Sequence, residues 1–535
     1  SDAIAAANQR REARGLPAPT AQAPQPRPAI PQFRRVHAQT KPTPTKTKRF
    51  PMLTLLPIAL TALQGVAPGS ESALLSLEPH TLTLLDGATI QGEIGRLRVP
   101  VRHSDPSGPS LVLAFVRVPS TAKDPGPPIY FLVGGPGASG IEHVAEMALD
   151  PAYGLLAHGD VIALDQRGTG LSEPRFGEGP LFEEELPLDQ PLTRAAFVAA
   201  QRRVVERCLA HWRTAGVDLA AIQSEESADD VDALRRALQH REIVPFGISY
   251  GSHLGLAYLR RHGKQVARAV LMDVEGPDDT HKLPSDSQRF LERLASDAAA
   301  APELAGQAQD LVATLRAVLE RLAKEPARIT TDRFGEPLTL VLGPYDVQLS
   351  VAYALGSAPS RASLPMAIGL MAAGRFDHLL GFALGNRIAA VDSPMGLLMD
   401  CASGASKARA KRITEEAAEA HHLLSDAMNF PIYPEVCAAT GLEQLPDRFR
   451  GRLTSDRPVL LVSGSLDART PPENARALLP GLKNAVLVEC TESGHDDRKM
   501  ESAEFRALLQ RFLAGETVPS TTLSLAPLPF RQPPR

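Results

Sequence analysis

The chain has little of several features that would point to a function directly. Its net charge is only −4 over 535 residues, so it lacks both the basic surface that nucleic acid demands and an acidic excess that would call for a polycationic partner. Cysteine is scarce. Cys208, Cys401, Cys437 and Cys490 are the four present, and neither they nor the histidines fall into a metal-ligand spacing, so no metal and no other cofactor is expected. The adjacent pair His421-His422, read as helical, would point its rings about 100° apart, a poor arrangement for one ion. The apolar run Met52 to Val66 is short for a bilayer and contains Pro57, so no stable membrane span is expected.

Residues 1–50 are basic and rich in Ala, Pro, Gln and Arg. They carry too few large apolar side chains to offset the entropy of ordering, and they read as disordered. Residues 51–68, with Lys46, Lys48 and Arg49 just before them, resemble a secretory h-region and its basic flank. That predicts a secreted or periplasmic protein. The alternative is a cytoplasmic one in which the run is an apolar linker packed on the domain.

The most informative segment is Gly247-Ile248-Ser249-Tyr250-Gly251. It follows the apolar run Ile243 to Phe246 and precedes a helix-like stretch, Leu254 to Arg261. A strand turning sharply into a helix lifts a serine hydroxyl clear of a sheet, and glycines flank it because side chains there would collide. Ser249 is the candidate nucleophile.

A serine hydroxyl needs a base in reach, and the base needs an acid to fix its tautomer. Pro458 to Gly464 reads as a buried strand, with Asp467 just past its end. Ala485 to Cys490 reads as another, followed by Ser493-Gly494-His495. The order serine, acid, histidine is that of α/β-hydrolases. Alone, Asp467 reads sooner as a turn or N-cap residue than as a catalytic acid, and His495 as a loop histidine with no task; order and context together lift them above that. His253, on the helix after the elbow, reads as a residue that packs or faces solvent.

Acyl transfer also needs donors aimed at an oxyanion. Tyr250 N–H, directly after the nucleophile, is one. The strand Ile129 to Val133 breaks into Gly134-Gly135-Pro136-Gly137-Ala138-Ser139-Gly140, where Pro136 cannot donate and Gly135 is the second choice. The loop lacks the Lys-Ser/Thr sequel of a phosphate loop and the spacing of a dinucleotide site.

A further strand, Val161 to Leu164, leads into Asp165-Gln166-Arg167-Gly168-Thr169-Gly170-Leu171-Ser172-Glu173-Pro174. With GGPGASG, GISYGS, LDARTPP and SGH, this segment resembles the prolyl aminopeptidase and tripeptidyl aminopeptidase family of α/β-hydrolases, from about Leu82 to Leu513. The resemblance implies a secreted or periplasmic serine exopeptidase acting on free peptide N-termini. It implies Ser249, Asp467 and His495 as triad, Gly135 and Tyr250 as oxyanion donors, and Asp165 and Arg167 as braces of the oxyanion loop. It favours Cys401 with Cys437 as a disulfide. Val133 stands where prolyl aminopeptidases have histidine, and Asp496-Asp497 follow His495 instead of glycine. Both departures lean toward the tripeptidyl branch.

The fold expected is α/β: a mostly parallel sheet flanked by helices, with a large, mainly helical cap inserted before the acid-bearing strand. The core takes residues 75–277 and 456–516, the cap 278–455, and a Pro-rich tail 517–535. In the cap, Leu311, Leu315, Val318, Leu319 and Leu322 form a stripe at helical spacing. A cap over the strand ends restricts access to short peptides or small esters. A substrate ammonium would need a carboxylate, and Glu275, Asp278 and Asp279, past the strand Ala267 to Asp273, are the candidates, though a solvated acidic loop would look the same. Cys490, on a core strand, reads as a small buried apolar residue.

The function expected is an aminopeptidase releasing one to three residues from short peptides through an acyl-enzyme. The alternatives are a carboxylesterase or thioesterase, which would use the same machinery, and a noncatalytic binding protein on a hydrolase scaffold.

Overall fold

A computed structural model of the chain describes residues 75–84, 86–304, 310–332, 337–429 and 432–532. The basic segment 1–50 and the apolar segment 51–68 lie outside the described residues. The chain divides into two units, Ser1–Gly65 and Val66–Arg535, and the description concerns the second.

Ten strands form one sheet: β1 (Leu75–Thr83), β2 (Thr89–Pro100), β3 (Ser110–Val118), β4 (Ile129–Leu132), β5 (Val161–Leu164), β6 (Val244–Ile248), β7 (Ala269–Met272), β8 (Ser455–Gly464), β9 (Leu482–Cys490) and β10 (Thr521–Leu523). Their spatial order is β1-β2-β3-β5-β4-β6-β7-β8-β9-β10. The pairs from β1 to β5 through β3 are antiparallel, and those from β5 through β4 to β10 are parallel. Parallel strands must be buried on both faces, and β4, β5, β6 and β7 are buried at every position.

Alternation along each strand feeds two cores. Tyr130 and Leu132 join Val204, Leu209, Val231 and Leu254 on one face, from α2 (Arg194–Thr214), α3 (Ser224–Ala237) and α4 (Tyr250–His262), where α1 is the short helix Gly140–Val144. Ile129 and Phe131 join Phe246, Val270 and Val462 on the other, closed by Phe505, Leu509 and Phe512 of the helix Ala503–Leu513. Each such buried side chain contributes about 1.5–3 kcal/mol.

The insertion between β7 and β8 builds a third core of its own. In α5 (Pro284–Ala300), Phe290, Leu291 and Leu294 face Leu311, Leu315, Val318, Leu319 and Leu322 of α6 (Leu311–Lys324). The helical stripe read from the sequence is therefore buried. The insertion also holds a hairpin, Ala327–Thr331 with Leu338–Leu342, and a short strand, Ile388–Ala390, paired antiparallel with Glu183–Glu185 from the segment before α2. Cys401 of α7 (Pro394–Ser403) is bonded to Cys437, while Cys208 and Cys490 are buried and free. Part of the Pro-rich tail is the edge strand β10, pairing Thr521 to Leu523 with Val488 to Cys490. Among the described residues no helix is long and apolar enough to cross a membrane.

Candidate active site

The carboxyl ends of the parallel strands converge on one edge of the sheet. β4 delivers the glycine loop there, β6 Ser249, β7 Asp273, β8 Asp467 and β9 the loop of His495. Ser249 has φ 58 and ψ −128, a strained conformation for an L-residue. The turn is as tight as the sequence implies: a Cβ on Gly251 would stand 1.8 Å from the Leu132 carbonyl, and one on Gly247 2.2 Å from that of Gly251. Although Ser249 precedes α4, its hydroxyl does not cap the helix. It meets His495 Nε2 at 3.0 Å, and His495 Nδ1 meets Asp467 Oδ2 at 2.9 Å. The three residues named from the sequence are thus brought together in one hydrogen-bonded chain.

Asp467 is fully buried. Its Oδ1 accepts the amides of Arg469 and Thr470, each at 2.8 Å, and its Oδ2 the Thr470 hydroxyl at 2.6 Å. Burial pushes its carboxyl pKa up, but His495 and the Thr470 bonds outweigh that and hold it below the usual range. His495 shows the reciprocal effect. Burial opposes its charged form, and Asp467 more than compensates, raising the imidazole above its ordinary value.

The glycine loop passes against the serine. A Cβ on Gly134 would lie 2.8 Å from Ser249 Cβ and 3.3 Å from Tyr250 N. Gly135 follows with φ +118, and among the described residues neither its N–H nor that of Tyr250 has an internal acceptor. From above, α7 closes on the same loop, with Ser393 Oγ 1.9 Å from where a Cβ on Gly137 would be. Asp165 braces the loop as the resemblance implies, accepting Ser139 Oγ at 2.6 Å and Ile141 N at 3.0 Å. Arg167 does not. Its guanidinium turns to Asp230 of α3, with two bonds of 2.7 Å, and to the carbonyls of Val101 and Ala221.

The acidic residues after β7 all have internal partners. Glu275 binds Lys282 Nζ at 2.9 Å and the Thr280 hydroxyl at 3.1 Å. Burial raises its pKa, and Lys282 with His253 more than reverses this. Asp278 accepts Ser406 N at 2.6 Å, and Asp279 pairs with Arg409 at 2.7 Å. They are not a solvated loop. His253 packs, bonded to the Gly276 carbonyl and Ser403 Oγ, each at 3.1 Å.

Sequence reasoning passed over Asp400 on α7. Among the described residues its carboxylate has no hydrogen-bond partner, and burial followed by repulsion from Glu275 raises its pKa well above the ordinary value. Nothing in the segment PMGLLMDCAS marks it. His421 and His422 lie past the end of the helix Lys407–Ala418, with Glu419 against both rings at 3.3 and 3.4 Å.

The chain belongs to the α/β hydrolase fold family, whose model matches residues 127–497. It carries a serine at the elbow of that fold. Among curated proteins it is similar to Serine protease Hip1 of Mycobacterium tuberculosis, 29% identical over 200 residues, 36% of this chain and 37% of that protein. It is also similar to a Tripeptidyl aminopeptidase of Streptomyces coelicolor, 29% identical over 192 residues, 35% of each chain. Carboxylesterase B of Mycobacterium tuberculosis is 30% identical over 252 residues, 44% of this chain and 47% of that one. The chain thus aligns with little more than a third of the length of the first two relatives. Among solved structures, a proline iminopeptidase-related protein from Thermus thermophilus covers 80% of this chain and 98% of its own at 18% identity, with a TM-score of 0.34.

Proposed function

We propose that this protein is a serine hydrolase that removes one to three residues from the free N-terminus of short peptides. Ser249 Oγ attacks the scissile carbonyl as its proton passes to His495 Nε2, and the tetrahedral oxyanion is held by the N–H groups of Gly135 and Tyr250. His495 then gives that proton to the departing amine. Water, deprotonated by the same ring, releases the acyl group from Ser249. Asp467 fixes the ring with Nδ1–H toward itself and stabilises the imidazolium.

The observation that carries the free-amine preference is Asp400. It is a carboxylate that makes no hydrogen bond among the described residues, on the cap helix that covers the oxyanion loop, and a substrate ammonium would give it a direct partner beside the charges of Lys282 and Arg469 that already act on it. Glu275 adds negative charge beside it, shared with Lys282. The names of two relatives, a serine protease and a tripeptidyl aminopeptidase, agree with this reading. The Cys401–Cys437 disulfide suits an oxidising compartment, and we place the protein in the periplasm or outside the cell.

The name of a third relative favours a second reading, a carboxylesterase acting through the same residues. A panel of free-amine di- and tripeptidyl amides, their N-blocked counterparts and short acyl esters, assayed with wild type, Ser249→Ala and Asp400→Asn, separates the two. Hydrolysis of free-amine amides that is lost on blocking, lost in Ser249→Ala and selectively weakened in Asp400→Asn is the expected result. Turnover of esters alone would establish the esterase, and activity surviving in Ser249→Ala would remove the nucleophile assignment.

A further inference from the structure

His495 faces two carboxylates. One oxygen of Asp467, one of Asp273 and one ring nitrogen of His495 lie within 4.8 Å of one another. Asp467 holds the ring. Asp273 comes directly after β7 with φ 49, a left-handed conformation that an L-residue rarely adopts without being held there. Its amide donates to the Val462 carbonyl at 2.9 Å, and its carboxylate is held by Lys499, whose Nζ is 2.9 Å from both oxygens. The side chains are 1% and 5% exposed. Lys499 Nζ also donates to the carbonyl of Asp496, the residue next to His495.

The charges decide what this arrangement does. A bare second carboxylate at this distance would compete with Asp467 for the ring and favour the imidazolium, while a bare buried ammonium would oppose it. Paired, the two offset one another only in part, and Asp273 still favours the imidazolium, behind Asp467. A packing role alone would be met as well or better by two apolar side chains of similar volume.

We propose that the Asp273–Lys499 ion pair is a positioning element of the general base. It ties down the loop carrying His495 through the Asp496 carbonyl, and Lys499 tempers the Asp273 charge so that Asp467 keeps the larger influence on the imidazole. The proposal rests on the reading of Ser249, His495 and Asp467 as a catalytic triad. Among the described residues, the other charged or titratable groups around the ring and the pair are Arg469 beyond β8, Asp496 in the histidine loop, Cys490 at the end of β9, and Tyr153, bonded to Asp497 at 3.1 Å. None of these gives Asp273 a cation in place of Lys499.

The test is the pH dependence of Ser249 labelling by a fluorophosphonate, which reports the base in the free enzyme whatever the natural substrate. The full chain is compared as wild type, Asp273→Asn, Lys499→Met and the double variant. Asp273→Asn should move the acid inflection down by about one pH unit and Lys499→Met should move it up by a comparable amount. The double variant should return it close to wild type, with a plateau rate lower by about tenfold because the loop has lost its tie. An unchanged inflection in both single variants, or a shift of both in the same direction, would overturn the proposal. Should the single variants fail to fold, the double variant decides, since a wild-type plateau rate there would also overturn it. Absence of wild-type labelling at Ser249 would instead remove the triad reading itself.

Discussion

Asp496 Oδ2 accepts the amide of Ala358 at 2.7 Å, binding the loop of the base directly to the cap. His495 N–H donates to the neighbouring Gly356 carbonyl at 2.8 Å. The aspartate that departs from the glycine of prolyl aminopeptidases is therefore a suture. Asp496→Gly is expected to lower kcat by roughly tenfold through a misplaced ring, with a smaller effect on KM. Steady-state kinetics on any turned-over substrate reads this, and an unchanged kcat would mean that the suture does not position His495.

Activity should fall on acidification with a midpoint above the ordinary imidazole value of about 6.5. The sign follows from the role: the base must be neutral, and Asp467, overcoming the opposing effect of burial, raises the pH at which His495 takes up a proton. Asp467→Asn removes the cause, so the midpoint should move down while kcat drops by about 10⁴-fold. Profiles of kcat/KM against pH for the two proteins check both statements.

Gly134→Ala should cost about 10²-fold in kcat, the scale of a lost oxyanion donor. Its Cβ would lie 2.7 Å from the Ile248 carbonyl and 2.8 Å from Ser249 Cβ, both parts of the elbow, so the glycine loop must move. Labelling of Ser249 by a fluorophosphonate, compared with turnover of a peptide or ester, would show whether the nucleophile survives as the oxyanion site is lost.

The Cys401–Cys437 bond closes a loop of sequence separation 36, and its loss should destabilise the protein by about 3 to 4 kcal/mol. Because α7 rests on the glycine loop, activity should fall before the protein melts. Thermal melts and rates for the Cys401→Ser/Cys437→Ser variant test this, and activity tracking global unfolding alone would separate the disulfide from the site.

Much of the site was legible because α/β-hydrolases place each functional side chain just past a strand, where an apolar run followed by glycine, serine or aspartate is a strong local signal. Ser249, Asp467 and His495 each stand at such a break, as do Gly134 and Gly135. Lys499 and Asp273 gave no such signal, since their contact spans 226 residues and Lys499 lies in a short turn without periodicity. Asp400 is hidden on an apolar helix for the same reason. Arg167 was misread because its partner, Asp230, belongs to a helix rather than to the adjoining loop. The strand Glu183–Glu185 was invisible for a different reason: glutamate is depleted in strands, and only pairing with Ile388–Ala390 makes one there.

That three-residue ribbon bears on how a substrate reaches Ser249. It joins the insertion to the segment before α2, the Arg387 carbonyl beside it accepts Leu186 N–H at 2.7 Å, Val341 N–H donates to the Leu188 carbonyl at 2.8 Å, and at the far end Arg531 N–H donates to the Ala362 carbonyl. A roof fastened at separate points does not swing as a hinged door. Under the peptidase reading proposed above, it is then a fixed cap, and not a moving lid, that limits how much of a peptide can lie beyond Ser249.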